Sequence, residues 1–388
     1  MALENTYSAY GYFCFGFAGT SSFCGCYSFL YNTTFALPYC TSITSTKIRL
    51  SRGYSGSICW ALAYSTALTR VFCITEADLV QGSYPLGVNV TLNTGNQGTR
   101  LGLDDDLAIA IVGRHVCVAE TLSTGYVFRC ISLAGNLNNT CNFVVTATGP
   151  LRLVRALDGM GVYFVYNDNA TNPGFSYLVC NPSTGFSNNS ARIDLPHNFD
   201  DLSFAPISNT TYDAYCFSAA ARVGMRWAYC VPSSTGPQSI FVDDFASDTT
   251  DVLIFPDRSH VCISFNGYNA SVTSGYRCTY VDNSPSTWAS ASLAQGPTGP
   301  VRFFLSEDGD FISYFSEIQA TVEIRDTTDF VPLLPPQFSS FSLGTPTSIK
   351  GVVISSPNGV RSPLFSTTPF SFSDFRFRFA CLGQGWGL

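Results

Sequence analysis

Apolar positions along the chain fall in short runs that recur at intervals of about fifty residues: LRLVRA (151–156), LSFAP (202–206), VLIFP (252–256) and VRFFLS (301–306). Several of these runs lead into hairpins such as CFSAAARVGMRWAYC (216–230) and CISFNGYNASVTSGYRC (262–278). A small or aromatic run, a turn containing Gly or Asn, and an aromatic residue before the second cysteine together predict strand–turn–strand. A further apolar run lies beyond several hairpins, as in NFVVTA (142–147), ARIDLP (191–196) and SIFVDD (239–244). No stretch of ten residues keeps the helical period without Gly, Pro or β-branched clusters, so no helix is predicted.

The cysteines mark the same repeat. Cys26, Cys73, Cys130, Cys180, Cys230 and Cys278 are spaced by 47, 57, 50, 50 and 48 residues, and Cys14, Cys59, Cys117, Cys216 and Cys262 precede five of them by 12 to 16 residues. One disulfide per hairpin is predicted: Cys59–Cys73, Cys117–Cys130, Cys216–Cys230 and Cys262–Cys278, with Cys14–Cys26 in the least regular unit. Of the rest, Cys24 with Cys40 and Cys141 with Cys180 are plausible pairs, which leaves Cys381 free or intermolecular. Four short strands repeated every fifty residues describe the blade of a β-propeller. The predicted fold is all-β, a propeller of about seven four-stranded blades over residues 1–336, at 1–46, 47–99, 100–149, 150–198, 199–248, 249–298 and 299–336. The first unit lacks an evident inner strand and the last lacks cysteines, so six blades with an extra segment is the alternative. Residues 337–388, rich in Ser, Phe, Thr and Pro, read as a separate C-terminal tail.

One segment, LSEDGDFISYF (305–315), resembles the first hairpin of tandem propeller repeats that place an S-x-D-G turn after the innermost strand, and ALDGMGVYFVY (156–166) and FPDRSHVCISF (255–265) are looser versions. Asp and Gly suit such a tight turn. The resemblance implies the propeller architecture. Enzymes, receptors and scaffolds share it, so it carries no activity.

Composition narrows the class. In 388 residues only 12% are charged and 46% are hydrophobic, which excludes a disordered chain. With a formal charge of -7 and only two lysines, Lys47 and Lys350, an electrostatic nucleic-acid binder is excluded as well. No apolar run is long enough to predict a membrane-spanning helix. Fifteen cysteines without a CxxC pair favour disulfides over zinc, and hence an oxidising, extracellular or cell-surface setting. Seven N-x-S/T sequons, at Asn32, Asn89, Asn138, Asn169, Asn188, Asn209 and Asn269, fit the same setting and predict N-linked glycans. The opening MALENTYSAYGYFCFGF has no recognisable signal peptide, so the chain is expected to begin downstream of its natural start.

Candidate chemistry is sparse. Asp106, Asp201 and Asp251, with Asp104, Asp105 and Asp200 beside them, precede or open predicted innermost strands. They are expected to surround one mouth of the ring, where converging carboxylates would suit calcium; capping of strand starts is the plainer reading. No other cofactor is predicted. His115 and His260 occupy equivalent places in different units and cannot form one site, and His197 has no evident partner. Neither a nucleophile elbow nor the sialidase repeat turn is present. The aromatic residues, 14% of the chain, are expected to fill the space between blades rather than to stack on sugars.

The tail holds the sharpest pattern. In FSFSDFRFRF (370–379), Phe375, Phe377 and Phe379 alternate with Arg376 and Arg378, as in a strand with one aromatic and one cationic face. Such a strand would complete the first blade of its own ring or add to a sheet edge of a neighbouring copy. The functional expectation is a glycosylated extracellular structural subunit that self-associates into a fibril or coat and is not an enzyme. A carbohydrate-binding or adhesive module is the alternative, and a glycoside hydrolase the third.

Overall fold

A computed structural model describes residues 12–17, 23–28, 33–40, 47–52, 57–82, 88–101, 106–147, 149–168, 172–186, 191–196, 198–199, 201–207, 214–221, 225–231, 238–243, 252–254, 260–265, 275–280, 289–292, 301–305, 311–316, 321–326 and 352–353. These form seven antiparallel sheets in chain order, the blades of a β-propeller. Blade one opens with β1 (Tyr12–Phe17), β2 (Phe23–Ser28) and β3 (Thr33–Ala36); blade two holds β4 (Lys47–Arg52), β5 (Ser57–Ala63), β6 (Leu68–Thr75) and β7 (Val88–Asn93). Blade three comprises β8 (Leu107–Val112), β9 (His115–Leu122), β10 (Gly125–Ser132) and β11 (Leu137–Val145). In blade four, β12 (Leu151–Arg155), β13 (Val162–Tyr166) and β14 (Gly174–Asn181) are followed by an outer strand in two pieces, β15 (Gly185–Phe186) and β16 (Ala191–Asp194). Blade five is β17 (Asp201–Pro206), β18 (Tyr215–Ala221), β19 (Met225–Val231) and β20 (Gln238–Asp243); blade six is β21 (Val252–Ile254), β22 (His260–Phe265), β23 (Gly275–Tyr280) and β24 (Ala289–Ser292). Blade seven shows three strands among the described residues, β25 (Val301–Leu305), β26 (Phe311–Ser316) and β27 (Thr321–Asp326).

The inner strand missing from the first unit comes from the tail. β28 (Val352–Val353) pairs antiparallel with β1, Cys14 opposite Val352 and Phe13 opposite Val353, giving the order β28-β1-β2-β3. The strand seen beside β1 thus comes from within 337–388, at 352–353, while 370–379 lies outside the described residues. Inner strands adjoin in turn, β4 with β8, β8 with β12, β12 with β17, β17 with β21 and β21 with β25, while β28 adjoins both β25 and β4.

Each blade is packed between two others, which explains why its inner strands read as continuous apolar runs rather than alternating ones. Every residue of β5 (SICWALA) and of β8 (LAIAIV) is buried. The seam between blades three and four is aromatic: Phe128 stacks on Phe164 at 5.3 Å, and Phe143 meets Phe164 edge-on at 5.2 Å. Between blades four and five, Tyr163 and Tyr177 pack on Phe204, and Phe175 on Phe217. These rings fill inter-blade space, the place expected of them.

Within blades, the cysteines face one another in register. Cys14–Cys26, Cys59–Cys73, Cys117–Cys130 and Cys216–Cys230 are disulfides between the second and third strands from the axis, with Cα atoms 3.9–4.1 Å apart. Cys262 lies directly opposite Cys278 across β22 and β23. Blade four departs from the pattern, since Val162 stands opposite Cys180. Cys180 bonds instead to Cys141, joining β14 to β11 of the preceding blade. Cys24–Cys40 ties β2 to the turn after β3.

The expectation of no helix is corrected by α1 (Glu76–Gln81) in the connection after β6. Thr75 caps it through the Asp78 amide, the Asp78 carboxylate accepts from the Thr75 amide, and Gly82 ends it at φ 64°. This is a capping box followed by a left-handed terminal glycine. At six residues the helix is shorter than the span over which periodicity is legible. The Asp–Gly turn at 156–161 also has a local cause: the Asp158 carboxylate accepts from the amides of Met160 at 2.8 Å and Gly161 at 2.9 Å, joining β12 to β13. The matching turns at 306–310 and 255–259 lie outside the described residues.

Tyr126 links the core to pH. Its hydroxyl donates to the Asn167 carbonyl at 3.0 Å, and burial raises its pKa well above the ordinary phenol value despite that bond, with Tyr166 and Asp168 adding to the rise. Because the folded pKa lies above the unfolded one, the neutral hydroxyl favours folding below about pH 10, and that contribution is lost as pH rises further. Stability in urea is expected to fall above about pH 10 by up to ~1.4 kcal/mol per pH unit from this group. Tyr126→Phe should flatten that fall; an unchanged slope would show that other groups control alkaline unfolding.

Candidate functional site

The inner strands set the geometry of the ring's mouth. Lys47, the first residue of β4, pairs with Asp106, the residue before β8, at 2.9 Å, and both side chains are buried. Two residues on, the Arg49 Nε donates to the Leu107 carbonyl at 3.1 Å and its Nη1 to the Ile48 carbonyl at 2.9 Å. The Ser51 hydroxyl accepts from the Ile111 amide at 3.1 Å, and between blades five and six the Ser203 hydroxyl accepts from the Val252 amide at 3.0 Å. An innermost strand has a free edge whose amides and carbonyls need partners. Here polar side chains of the preceding blade reach across and supply them.

A second polar group lies farther from the axis, at the same end of blades two and three. The Arg100 Nη2 pairs with the Glu120 Oε1 at 2.6 Å, and its Nη1 donates to the Ser65 carbonyl at 2.8 Å. The Thr69 hydroxyl donates to the same Glu120 oxygen and accepts from Arg100 Nη2. All three side chains are buried, so β6, the connection at Arg100 and β9 are joined by one ionic, hydrogen-bonded group. Among the described residues, Glu120 Oε2 and Arg100 Nε make no hydrogen bond. With the guanidinium held by the carboxylate, a hydroxyl and a carbonyl, the group acts chemically as a lock between two blades.

Of the residues singled out as candidate calcium ligands, Asp106 is the one whose side chain is among the described residues. The carboxylate of Asp106 is occupied by the Lys47 ammonium, Asp201 opens β17 with its side chain outside the described set, and Asp251 lies outside the described residues. Among the described residues no three His, Cys, Asp or Glu side chains converge as metal ligands. His115 and His260 begin the second strands of blades three and six, and burial lowers the pKa of His115; His197 lies outside the described residues. Of the sequons, Asn89 is exposed on β7 and Asn138 lies within β11, while Asn32, Asn169, Asn188, Asn209 and Asn269 fall outside, as do Cys381 and the assembly residues Phe375, Phe377 and Phe379.

Sequence reasoning missed both ionic groups. A lysine in a chain with two, and a glutamate inside the otherwise apolar HVCVAETL, were the available signals.

No protein-family model and no curated protein matches the chain. Solved structures do. A protein of Bacteroides fragilis assigned as a 6-phosphogluconolactonase is similar over 89% of this chain and 99% of its own, at 13% identity and a TM-score of 0.59. The periplasmic gluconolactonase of Pseudomonas aeruginosa is similar over 89% and 99%, at 12% identity and a TM-score of 0.56. A second such assigned lactonase, from Bacteroides uniformis, gives 88% and 99% at 15% identity and a TM-score of 0.55. At these identities the fold is what is shared. The likeness nonetheless overturns the expectation of a chain that is not an enzyme: that expectation rested on a missing motif, and the architecture is one that lactonase structures have along nearly their whole length.

Proposed function

We propose that the protein is an extracellular scaffold propeller, a glycosylated subunit that assembles with copies of itself into a fibril or surface coat. The observation that carries this reading is the repeated fastening: in-register disulfides within blades, a disulfide between blades three and four, and polar side chains that bind blade to blade at the mouth. Such fastening suits a protein that must persist outside the cell. Multiple disulfides support that setting, and no helix among the described residues is long and apolar enough to cross a membrane. In this reading the means of assembly is the chain beyond Val353, whose aromatic–cationic alternation at 375–379 is the sequence pattern of a strand that adds to a sheet edge of a second copy. A head-to-tail addition of this kind that does not close on itself makes a filament.

Deleting 354–388 is the test, because it leaves β28 in place, whereas a cut at 337 would also remove the inner strand of blade one. Electron microscopy and sedimentation are expected to find polymers of the full chain and folded monomers of the truncated one. Full-length protein that stays monomeric, or truncated protein that polymerises equally well, would refute the reading. A second reading, hydrolysis of a sugar lactone, is favoured by the fold likeness to lactonases. Turnover of gluconolactone above the buffer rate by purified protein would support it.

A further inference from the structure

Blades two to seven draw their innermost strand from the chain just before their second strand, from β4 before β5 to β25 before β26. Blade one does not. Its innermost strand is β28, which follows β27 only after residues 327–351. Fully extended, a segment of that length spans ~80 Å, against ~15 Å across a four-stranded blade. The covalent connection therefore does not decide which copy's β1 the strand meets.

The pairing itself is slight. Among the described residues β28 meets β1 at Phe13 with Val353 and Cys14 with Val352, whereas β4 pairs with β5 from Lys47 to Arg52 and β8 with β9 from Leu107 to Val112. Few main-chain hydrogen bonds have to open for β28 to leave, while Cys14–Cys26 keeps β1 in its sheet. The place it leaves is apolar on the side of blade two: Ile48 and Leu50 of β4 are buried in one cluster with Cys14, Cys24 and Cys26. GVVIS (351–355) carries no charge and suits that place. FRFRF (375–379) would bring two arginines into it, at the cost of burying charge.

We propose that, where copies assemble, β28 of one copy leaves its own blade one and pairs with β1 of the next, so that residues 352–353 are the donor and blade one the acceptor of a strand exchange. The inference rests on the self-assembly reading above and names its joint: the chain beyond Val353 brings the neighbour close, and exchange of β28 fixes it. The bonds lost in one copy are re-formed in the next, by the same sequence on the same edge, which is why swapping an identical element is a low-cost route between copies. A strand tethered to its own ring competes at an effective concentration on the order of millimolar, and a neighbour docked through its tail presents the same strand at a similar one. Once the neighbour is docked, the strand's own ring keeps little advantage.

The test uses two full-length variants, Phe13→Cys and Val353→Cys, mixed before assembly and then treated with oxidised glutathione. Directly opposite residues of an antiparallel pair lie about 4.5–5.5 Å apart at Cα, within disulfide range. Neither chain holds both new thiols, so a peptide linking positions 13 and 353 forms only between copies. It is expected in the polymer fraction and absent from the monomer fraction of the same mixture. The double variant, kept as monomer, is expected to link within its own chain, which shows that both substitutions fold with β28 in place. Polymers without the 13–353 link would overturn exchange and leave the scaffold reading standing, whereas unsubstituted protein that stays monomeric would overturn both. Should Phe13→Cys fail to fold or to polymerise, photoreactive benzoylphenylalanine at position 13 keeps an aromatic ring there. Assembled with isotopically heavy protein, that chain should label residues 352–353 of the heavy copy, and labelling of its own chain alone would overturn the proposal.

Discussion

Protein unfolded, reduced and alkylated is expected not to refold at ambient temperature. Six disulfides are seen among the described residues. On the chain-entropy scale a short hairpin loop of this kind stabilises by about 3 kcal/mol, and the longer loop closed by Cys141–Cys180 by about 4 kcal/mol. Together they exceed the margin of about 5–15 kcal/mol by which domains are normally stable. Far-ultraviolet circular dichroism should show loss of strand signal, and the fluorescence of Trp60, fully buried in blade two, should shift to the red. The bridged cysteines are buried, so reductant without denaturant should act only as fast as the blades open. A cooperative melt from fully alkylated protein would show that blade packing suffices without the bridges.

Glu120→Ala is the single substitution expected to weaken the fold most among the polar sites. It removes the acceptor of Arg100, which is 5% exposed, and leaves a guanidinium buried against a hydroxyl and a carbonyl. Breaking one side of a buried ion pair costs about 3–5 kcal/mol. Replacing both partners, as Arg100→Met with Glu120→Leu, is expected to lie within about 1–2 kcal/mol of the parent, since apolar residues of similar volume often substitute well for a buried pair. Urea midpoints of the three proteins decide it. A single variant as stable as the parent would mean that the group does not lock the seam.

The propeller was legible because its units repeat a covalent mark. Cysteines at fixed intervals give register as well as count, and strands such as LRLVRA and LSFAP then fall into place around them. The pairing of Cys141 with Cys180 followed only from what remained, since nothing in the spacing says that blade four breaks the pattern. The inner strand of blade one was not legible. Two valines in a stretch rich in Ser and Pro are too few to show alternation, and their partners, Phe13 and Cys14, lie at the other end of the chain. The same holds for the mouth: Lys47 and Asp106 belong to different blades, and Thr69, Arg100 and Glu120 to two blades and a connection. Pattern reasoning finds elements; it does not find which side chains of separate elements meet. The acidic residues before the inner strands therefore offered two readings, the plainer capping of strand starts or convergence on an ion, and neither includes the lysine that is the partner of Asp106.

The pairing of β28 with β1 also orders events during synthesis. Blade one is made first, yet its innermost strand is residues 352–353, so the ribosome must add more than three hundred residues before that sheet can be completed. At about 5–20 residues per second this interval is on the order of 20–70 s. Throughout it β1 presents a bare edge, while blades two to six can already fold on their own local hairpins. Pairings so distant in sequence form slowly even in a finished chain. The oldest part of the molecule is thus the last to mature, and for most of its synthesis the nascent protein is a row of blades awaiting two valines.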